Sequence, residues 1–291
     1  MSASPLQQQR QKGRSWPQPD LRLMPRHPEV YEPCDDSFAL ADAIATDIAR
    51  FYPSLATSCS PSQPSSDNAP PSSPSLRQDS SRAPPFPALI LELGSGSGFV
   101  LASVALALRA FSARSHASSV ASGNAAGNVA DTAGRSAPTS AISLASQASF
   151  LAVDINPQAA DITRQTLAAH TILADVLISD LGSGLVPRMA GQVDVLIFNP
   201  PYVPTSPQEV RRPGITQAWA GGNRGREVID RVMAVAGELL SPGGVFYLLV
   251  VAENDPGEVE ERMRLLGFEG EELLRRGTEE EVIVVIKFWR R

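Results

Sequence analysis

Along the chain, short continuous apolar runs alternate with longer stretches in which apolar residues recur at helical spacing. That alternation predicts βαβ units on a mostly parallel sheet. The first element is a helix from about Asp36 to Tyr52, with Asp35 or Asp36 available as N-cap after Pro33. A strand over Ala88–Leu93 ends in a Gly-rich turn, and its helix covers Phe99–Phe111. Next come a strand over Ser149–Asp154, a helix that Pro157 can start at its first turn, and a strand from about Ile172 to Ser179. A strand over Val193–Phe198 and a helix over Arg226–Leu240 precede the turn Ser241-Pro242-Gly243-Gly244 and a strand over Val245–Val251. Helix, strand and strand follow, closing on Glu281–Phe288. The last two strands have no long helix between them, so they form an antiparallel hairpin at one end of the sheet; parallel neighbours need a crossover of about a dozen residues or more.

Three segments interrupt the pattern. Residues 1–27 read as a disordered tail, and low-complexity insertions at about 53–87 and 112–148 divide a single domain spanning 28–291. Their Ser/Pro and Ser/Ala/Gly compositions bury too little apolar surface to offset the entropy of ordering them. Insertions of this kind are tolerated in surface loops because closure cost grows slowly with length.

Composition narrows the class. A hydrophobic content of 43% over 291 residues suffices for a core, and a net charge of -6 without a Lys/Arg tract argues against nonspecific nucleic-acid or membrane binding. Cys34 and Cys59 are too few for a disulfide framework, and His27, His116 and His170 are scattered, so no bound metal is expected. The N-terminal residues lack the apolar stretch of a secretory signal, and the apolar run near Leu101–Phe111 is too short to cross a bilayer. A soluble chain in a reducing, intracellular compartment is the expectation.

Chemistry gathers at strand ends. Glu92-Leu93-Gly94-Ser95-Gly96-Ser97-Gly98 runs from a strand through alternating glycines into a helix, a turn that lets backbone approach a ligand closely at a helix N-terminus. A ligand-free Gly-rich turn would look the same, so this motif alone is weak. Asp154 ends the second strand, where a carboxylate can accept both hydroxyls of a ribose, cap the helix at Pro157, or do both. Its distance from Gly98 exceeds the usual ~20 residues, and the low-complexity insertion accounts for the excess. Asp180 ends the third strand and is either an acceptor for an adenine amino group or a turn aspartate.

The most specific feature is Asn199-Pro200-Pro201-Tyr202 at the end of an apolar strand. The prolines stiffen the segment and donate no hydrogen bond. The Asn199 side-chain oxygen and the Pro200 carbonyl can each accept one N–H of a planar nitrogen, and Tyr202 can stack against the plane. Such a site suits attack by that nitrogen on an electrophile, with the rate coming from positioning and from dipoles facing charge that develops on nitrogen.

These residues resemble the HemK-related glutamine N5-methyltransferases, and more closely the eukaryotic branch that methylates the class 1 release factor. The Glu-x-Gly-x-Gly-x-Gly form is similar to motif I of S-adenosylmethionine enzymes. Val30-Tyr31-Glu32-Pro33 with Asp36-Ser37-Phe38 resembles the family's opening segment, with Ser37 in place of its usual Thr. Val203-Pro204-Thr205, Pro207-Gln208-Glu209-Val210, Ala218-Trp219-Ala220-Gly221-Gly222 and Leu239 to Gly244 are also similar. The resemblance implies a class I S-adenosylmethionine methyltransferase fold: an α/β, doubly wound, seven-stranded mostly parallel sheet with one antiparallel strand. It implies cofactor binding by Ser37, Glu92, Gly94, Gly96, Gly98, Asp154, Asp180 and Asn199. Asn199, Pro200, Pro201 and Tyr202 would hold the glutamine of a Gly-Gly-Gln motif, with Asn199, Pro200 and Tyr202 catalytic. Trp219 is a packing residue or a substrate contact. The family branch further implies a small zinc-binding activator subunit, docked on the apolar edge strand at about 172–178, and a cytoplasmic or also nuclear location. Rival readings are an N6-adenine nucleic-acid methyltransferase, against which the acidic charge speaks, and a noncatalytic scaffold; methylation of lysine or of a small molecule fits less well.

Overall fold

A computed structural model describes residues 16–51, 89–123, 148–212 and 214–290. Most of the tail and of both insertions lies outside these residues. The elements are α1 (Asp35–Phe51), β1 (Leu89–Leu93), α2 (Phe99–Gly123), β2 (Ser149–Asp154), α3 (Pro157–Ala169), β3 (Asp175–Ile178), α4 (Val186–Met189), β4 (Val193–Phe198), α5 (Pro207–Val210), α6 (Glu227–Leu239), β5 (Leu240–Val251), α7 (Pro256–Leu265), β6 (Phe268–Gly277) and β7 (Val282–Arg290). The seven strands lie in the order β3-β2-β1-β4-β5-β7-β6. All neighbours from β3 to β5 are parallel, while β7 runs antiparallel to both β5 and β6. One reversed strand, delivered by the terminal hairpin, was the expectation.

The central strands are apolar because both faces are covered by helices. In β1, Ile90, Leu91 and Leu93 are fully buried, as are Leu196 and Ile197 of β4. Each such aliphatic side chain contributes roughly 1.5–3 kcal/mol relative to an exposed one. On one side α1 packs against α2 through Phe38 and Phe99, whose rings meet edge to face at 4.9 Å. Among the described residues no helix is long and apolar enough to cross a membrane.

The structure corrects several expectations. The assignment of a disordered tail does not hold for 16–27: Met24 is buried in the core, Trp16 and Leu21 pack against it, and the Asp20 N–H donates to His170 Nε2 at 2.8 Å. Helix α2 continues past Phe111 to Gly123, into the second insertion. The third strand is only Asp175–Ile178, because Ile172 turns into the core instead of extending the edge. Cys34, rather than Asp35 or Asp36, occupies the position before α1, its carbonyl accepting from Phe38 N at 3.0 Å.

Candidate functional site

The strand order reverses between β1 and β4, and open α/β sheets bind ligands in the crevice beyond the carboxyl ends of strands at such a point. A cleft of about 250 Å³ opens there. Ser37, Glu92, Gly94, Gly96, Asp154, Asp180, Asn199, Pro200, Pro201, Tyr202 and Trp219 all line it. Gly98 does not. With φ +76° and a virtual Cβ 3.1 Å from Thr163 Cα, it is the point where the loop packs against α3. Thr163 bolts that loop down, its Oγ1 donating to Gly96 O at 3.0 Å and lying 2.9 Å from Ser95 Oγ. Gly98 therefore shapes the loop from behind.

Asp154 has two tasks. Its Oδ2 accepts from Gly96 N and its Oδ1 from Asn156 N, both at 2.8 Å, so the carboxylate ties the glycine loop to the end of β2. Burial raises its pKa, opposed by the N–H groups of Asn156, Gly96 and Ile155. The helix cap falls to Asn156, whose side chain accepts from Gln158 N while its Nδ2 donates to Glu29 O at 2.9 Å. That second bond fastens the N-terminal strap, and Glu29, Val30 and Tyr31 form a wall of the cleft. At the floor, Glu92 is buried and accepts from Leu101 N at 3.1 Å. Burial pushes its carboxyl well above the ordinary range, partly offset by that N–H and reinforced by the Asp154 charge. Asp180 is ion-paired with Arg231 at 2.6 Å.

The group most relevant to an acceptor substrate is Asn199. Its Nδ2 donates to Asp36 Oδ2 at 3.0 Å, whereas its Oδ1 is buried with no hydrogen-bond partner. An ionised carboxylate only accepts, so Asp36 dictates which end of the amide faces it and leaves the oxygen on the other side. Tyr202 donates its hydroxyl to Glu281 Oε1 at 2.8 Å, with Asp36 Oδ2 at 3.5 Å. Burial first, then Asp36 and Glu281, raise the tyrosine pKa far above its usual value, so the phenol stays a neutral donor.

The backbone of this segment is anchored from below. Asn254, fully buried, donates to Tyr202 O at 2.8 Å and Arg224 O at 2.9 Å and accepts from Val251 N at 2.8 Å. Gly225 lies against the Tyr202 carbonyl so closely that any Cβ would overlap it. The turn of Gly221, Gly222 and Gly225 thus supports the Asn199–Tyr202 segment. Trp219, half-buried, lines the cleft while its carbonyl accepts from Val203 N at 3.0 Å. Asp36, Glu281 and Asn254 were not anticipated in these roles.

The donor set fits S-adenosylmethionine. A buried carboxyl strained toward protonation suits an ammonium at Glu92, Asp154 keeps lone pairs for hydroxyls, and Gly94 and Gly96 allow close backbone approach. Topology and strand-end loops together define a class I S-adenosylmethionine methyltransferase fold. Mouse and human methyltransferase HEMK2 are 46% identical to the chain over 142 residues, 49% of this chain and 66% of theirs, so the match spans just under two thirds of those relatives. The Methanocaldococcus jannaschii protein named "Putative protein N5-glutamine methyltransferase MJ0928" is 34% identical over 141 residues, 48% of this chain and 70% of that one. The Schizosaccharomyces pombe eRF1 methyltransferase catalytic subunit mtq2 is 37% identical over 105 residues, 35% of this chain and 46% of its own. No family model matches. The chain belongs to the HemK-related glutamine N5-methyltransferase family.

Proposed function

We propose that the chain uses S-adenosylmethionine to methylate the side-chain amide nitrogen of the glutamine in the Gly-Gly-Gln motif of the eukaryotic class 1 release factor. The observation that carries this reading is the buried Oδ1 of Asn199, a residue of the cleft wall, which has no hydrogen-bond partner among the described residues. A buried acceptor left unsatisfied costs about 1–3 kcal/mol, and a substrate N–H is the group that satisfies it. The relatives' printed names supply the acceptor class and the release factor.

When bound, the cofactor supplies an electrophilic methyl on a sulfonium. Asn199 Oδ1 and the Pro200 carbonyl would take the two amide N–H groups, holding the nitrogen's face toward that methyl and polarising its delocalised lone pair. Of the two N–H groups so held, one would lose its proton to solvent on methyl transfer to the nitrogen, the sulfonium leaving as a neutral thioether. Tyr202, neutral and held by its hydroxyl, offers its ring to the amide plane. Glu92, Asp154 and the Gly94–Gly96 backbone would hold the cofactor, Ser37 would close over it, and Asp180 would reach the adenine once its pairing with Arg231 yields.

We further propose a small zinc-binding activator subunit along the free edge of β3. Leu173, Leu177 and Ile178 are 90%, 41% and 59% exposed there, and among the described residues the strand pairs only with β2. Apolar edges invite another chain, and the S. pombe relative is itself named a catalytic subunit. We propose with it a cytoplasmic, or cytoplasmic and also nuclear, location.

The test is transfer of a labelled methyl to release factor carrying glutamine or alanine in its Gly-Gly-Gln loop, with the activator present. Label on the glutamine form alone is expected. Equal labelling of both, or labelling of adenine-containing oligonucleotides instead, overturns the assignment.

A further inference from the structure

The terminal hairpin delivers a side chain to the acceptor end of the cleft. Between β6 and β7 the turn is closed by Thr278 N to Glu281 O at 2.8 Å and by Glu281 N to Thr278 Oγ1 at 3.1 Å, which fixes the Glu281 backbone. From there the carboxylate reaches the Tyr202 hydroxyl at 2.8 Å, 79 residues away in sequence. Among the described residues the one other acceptor for that hydroxyl is Asp36 Oδ2 at 3.5 Å, the same oxygen that takes Asn199 Nδ2 at 3.0 Å. Two donors therefore converge on one Asp36 oxygen, and Glu281 draws one of them away.

We infer that Glu281 is a positioning residue for methyl transfer: by holding the Tyr202 hydroxyl it fixes the ring at the cleft wall and keeps Asp36 free to aim the Asn199 amide. The inference rests on the functional reading above. Without Glu281 the hydroxyl turns to Asp36, competes with Asn199 Nδ2, and loosens the orientation of Asn199 Oδ1. The effect passes entirely through the tyrosine hydroxyl, so it disappears when that hydroxyl is absent.

In the full chain with its activator, Glu281→Ala should lower kcat about tenfold or more, the scale of one charge-assisted hydrogen bond, with cofactor affinity unchanged. Glu281→Gln, whose Oε1 still accepts, should retain kcat to within about threefold. Tyr202→Phe and the Tyr202→Phe/Glu281→Ala pair should be equally impaired, because the second substitution has nothing left to act on. Wild-type kcat in Glu281→Ala overturns the inference, as does additivity of the pair or failure of Glu281→Gln to rescue. Should the wild type label no glutamine, the functional reading falls and Glu281 is still judged on protein labelled with ζ-13C tyrosine. The resonance missing in Tyr202→Phe should move in Glu281→Ala and stay in the exposed-neighbour control Glu280→Ala; an unmoved resonance refutes the positioning role.

Discussion

Replacing Asn199 separates its two possible tasks, acceptor and filler of space. In Asn199→Ala the chain loses a hydrogen bond to the Asp36 carboxylate, worth about 1.5–3 kcal/mol, and also loses a buried unsatisfied acceptor that costs about 1–3 kcal/mol. The two terms oppose each other, so folding stability should change by no more than about 2 kcal/mol, roughly 4–8 °C in Tm for a domain of this size. Catalysis has no such compensation. An acceptor facing charge that develops on the substrate nitrogen is worth about 10²–10³ in kcat when removed. Single-turnover methyl transfer should fall by that factor, while cofactor affinity by calorimetry stays within about threefold.

Asn199→Asp sharpens the test. The new carboxylate would place an oxygen about 3.0 Å from Asp36 Oδ2, where two negative charges repel by about 5 kcal/mol at an effective dielectric of about 20. The pair then holds one proton between them, in the place of the amide N–H, and the outer oxygen remains an acceptor. This variant should keep about a tenth or more of wild-type activity at the acid end of the accessible range. It should lose that activity as pH rises and the shared proton leaves, a decline the wild type does not share. Activity of Asn199→Ala within tenfold of wild type, or an Asn199→Asp rate that is flat or rising with pH, refutes the acceptor role.

Three further outcomes follow from the geometry. Lys287 and Asp47 form an ion pair at 2.7 Å, each side chain 4% exposed, with the Tyr247 hydroxyl donating to the same Asp47 oxygen. Lys287→Met strands a buried carboxylate and should cost about 3–5 kcal/mol, lowering Tm by about 6–20 °C; the apolar triple replacement Lys287→Met/Asp47→Leu/Tyr247→Phe should recover most of it, and a Tm within about 2 °C of wild type for Lys287→Met alone contradicts the account. Glu92 has a raised folded-state pKa, so the folded chain binds the proton more tightly than the unfolded one, and the ligand-free protein loses stability as pH rises from the ordinary carboxylate range through that raised value. Melting Glu92→Gln from about pH 5 to about pH 8 should show a shallower decline and a higher Tm at neutral pH, together with weaker cofactor binding; an unchanged slope means Glu92 is not the source. Gly98→Ala asks an L-residue to adopt φ +76° with its Cβ 3.1 Å from the α3 backbone, at about 1–2 kcal/mol for the left-handed conformation alone. Cofactor affinity should drop about tenfold or more through distortion of the loop, and unaltered affinity by calorimetry would return Gly98 to being a simple turn.

Why some of this was legible in the sequence and some was not has a physical basis. Strands β2 and β4 are found at their predicted bounds because both faces are buried, which leaves an uninterrupted apolar run. The edge strand was drawn too long because Ile172 is as apolar as its neighbours, and nothing local says that it turns inward while Leu173 faces out. The packed strap over 16–27 was missed because sparse anchors such as Met24 carry no period. At the site, Asn199 and Asp154 stand at strand ends, where backbone position alone places a side chain in the cleft, so a local motif finds them. Asp36 and Glu281 act through contacts 163 and 79 residues away. A group whose task is to orient another is chosen by tertiary geometry and leaves no pattern around itself. Glu281 closes an acidic run, Glu279 to Glu281, that reads as a solvated turn. Asp36 left one trace: two carboxylates follow Pro33 at a helix start, one more than a single N-cap position can use, so the second was available for a partner outside the helix.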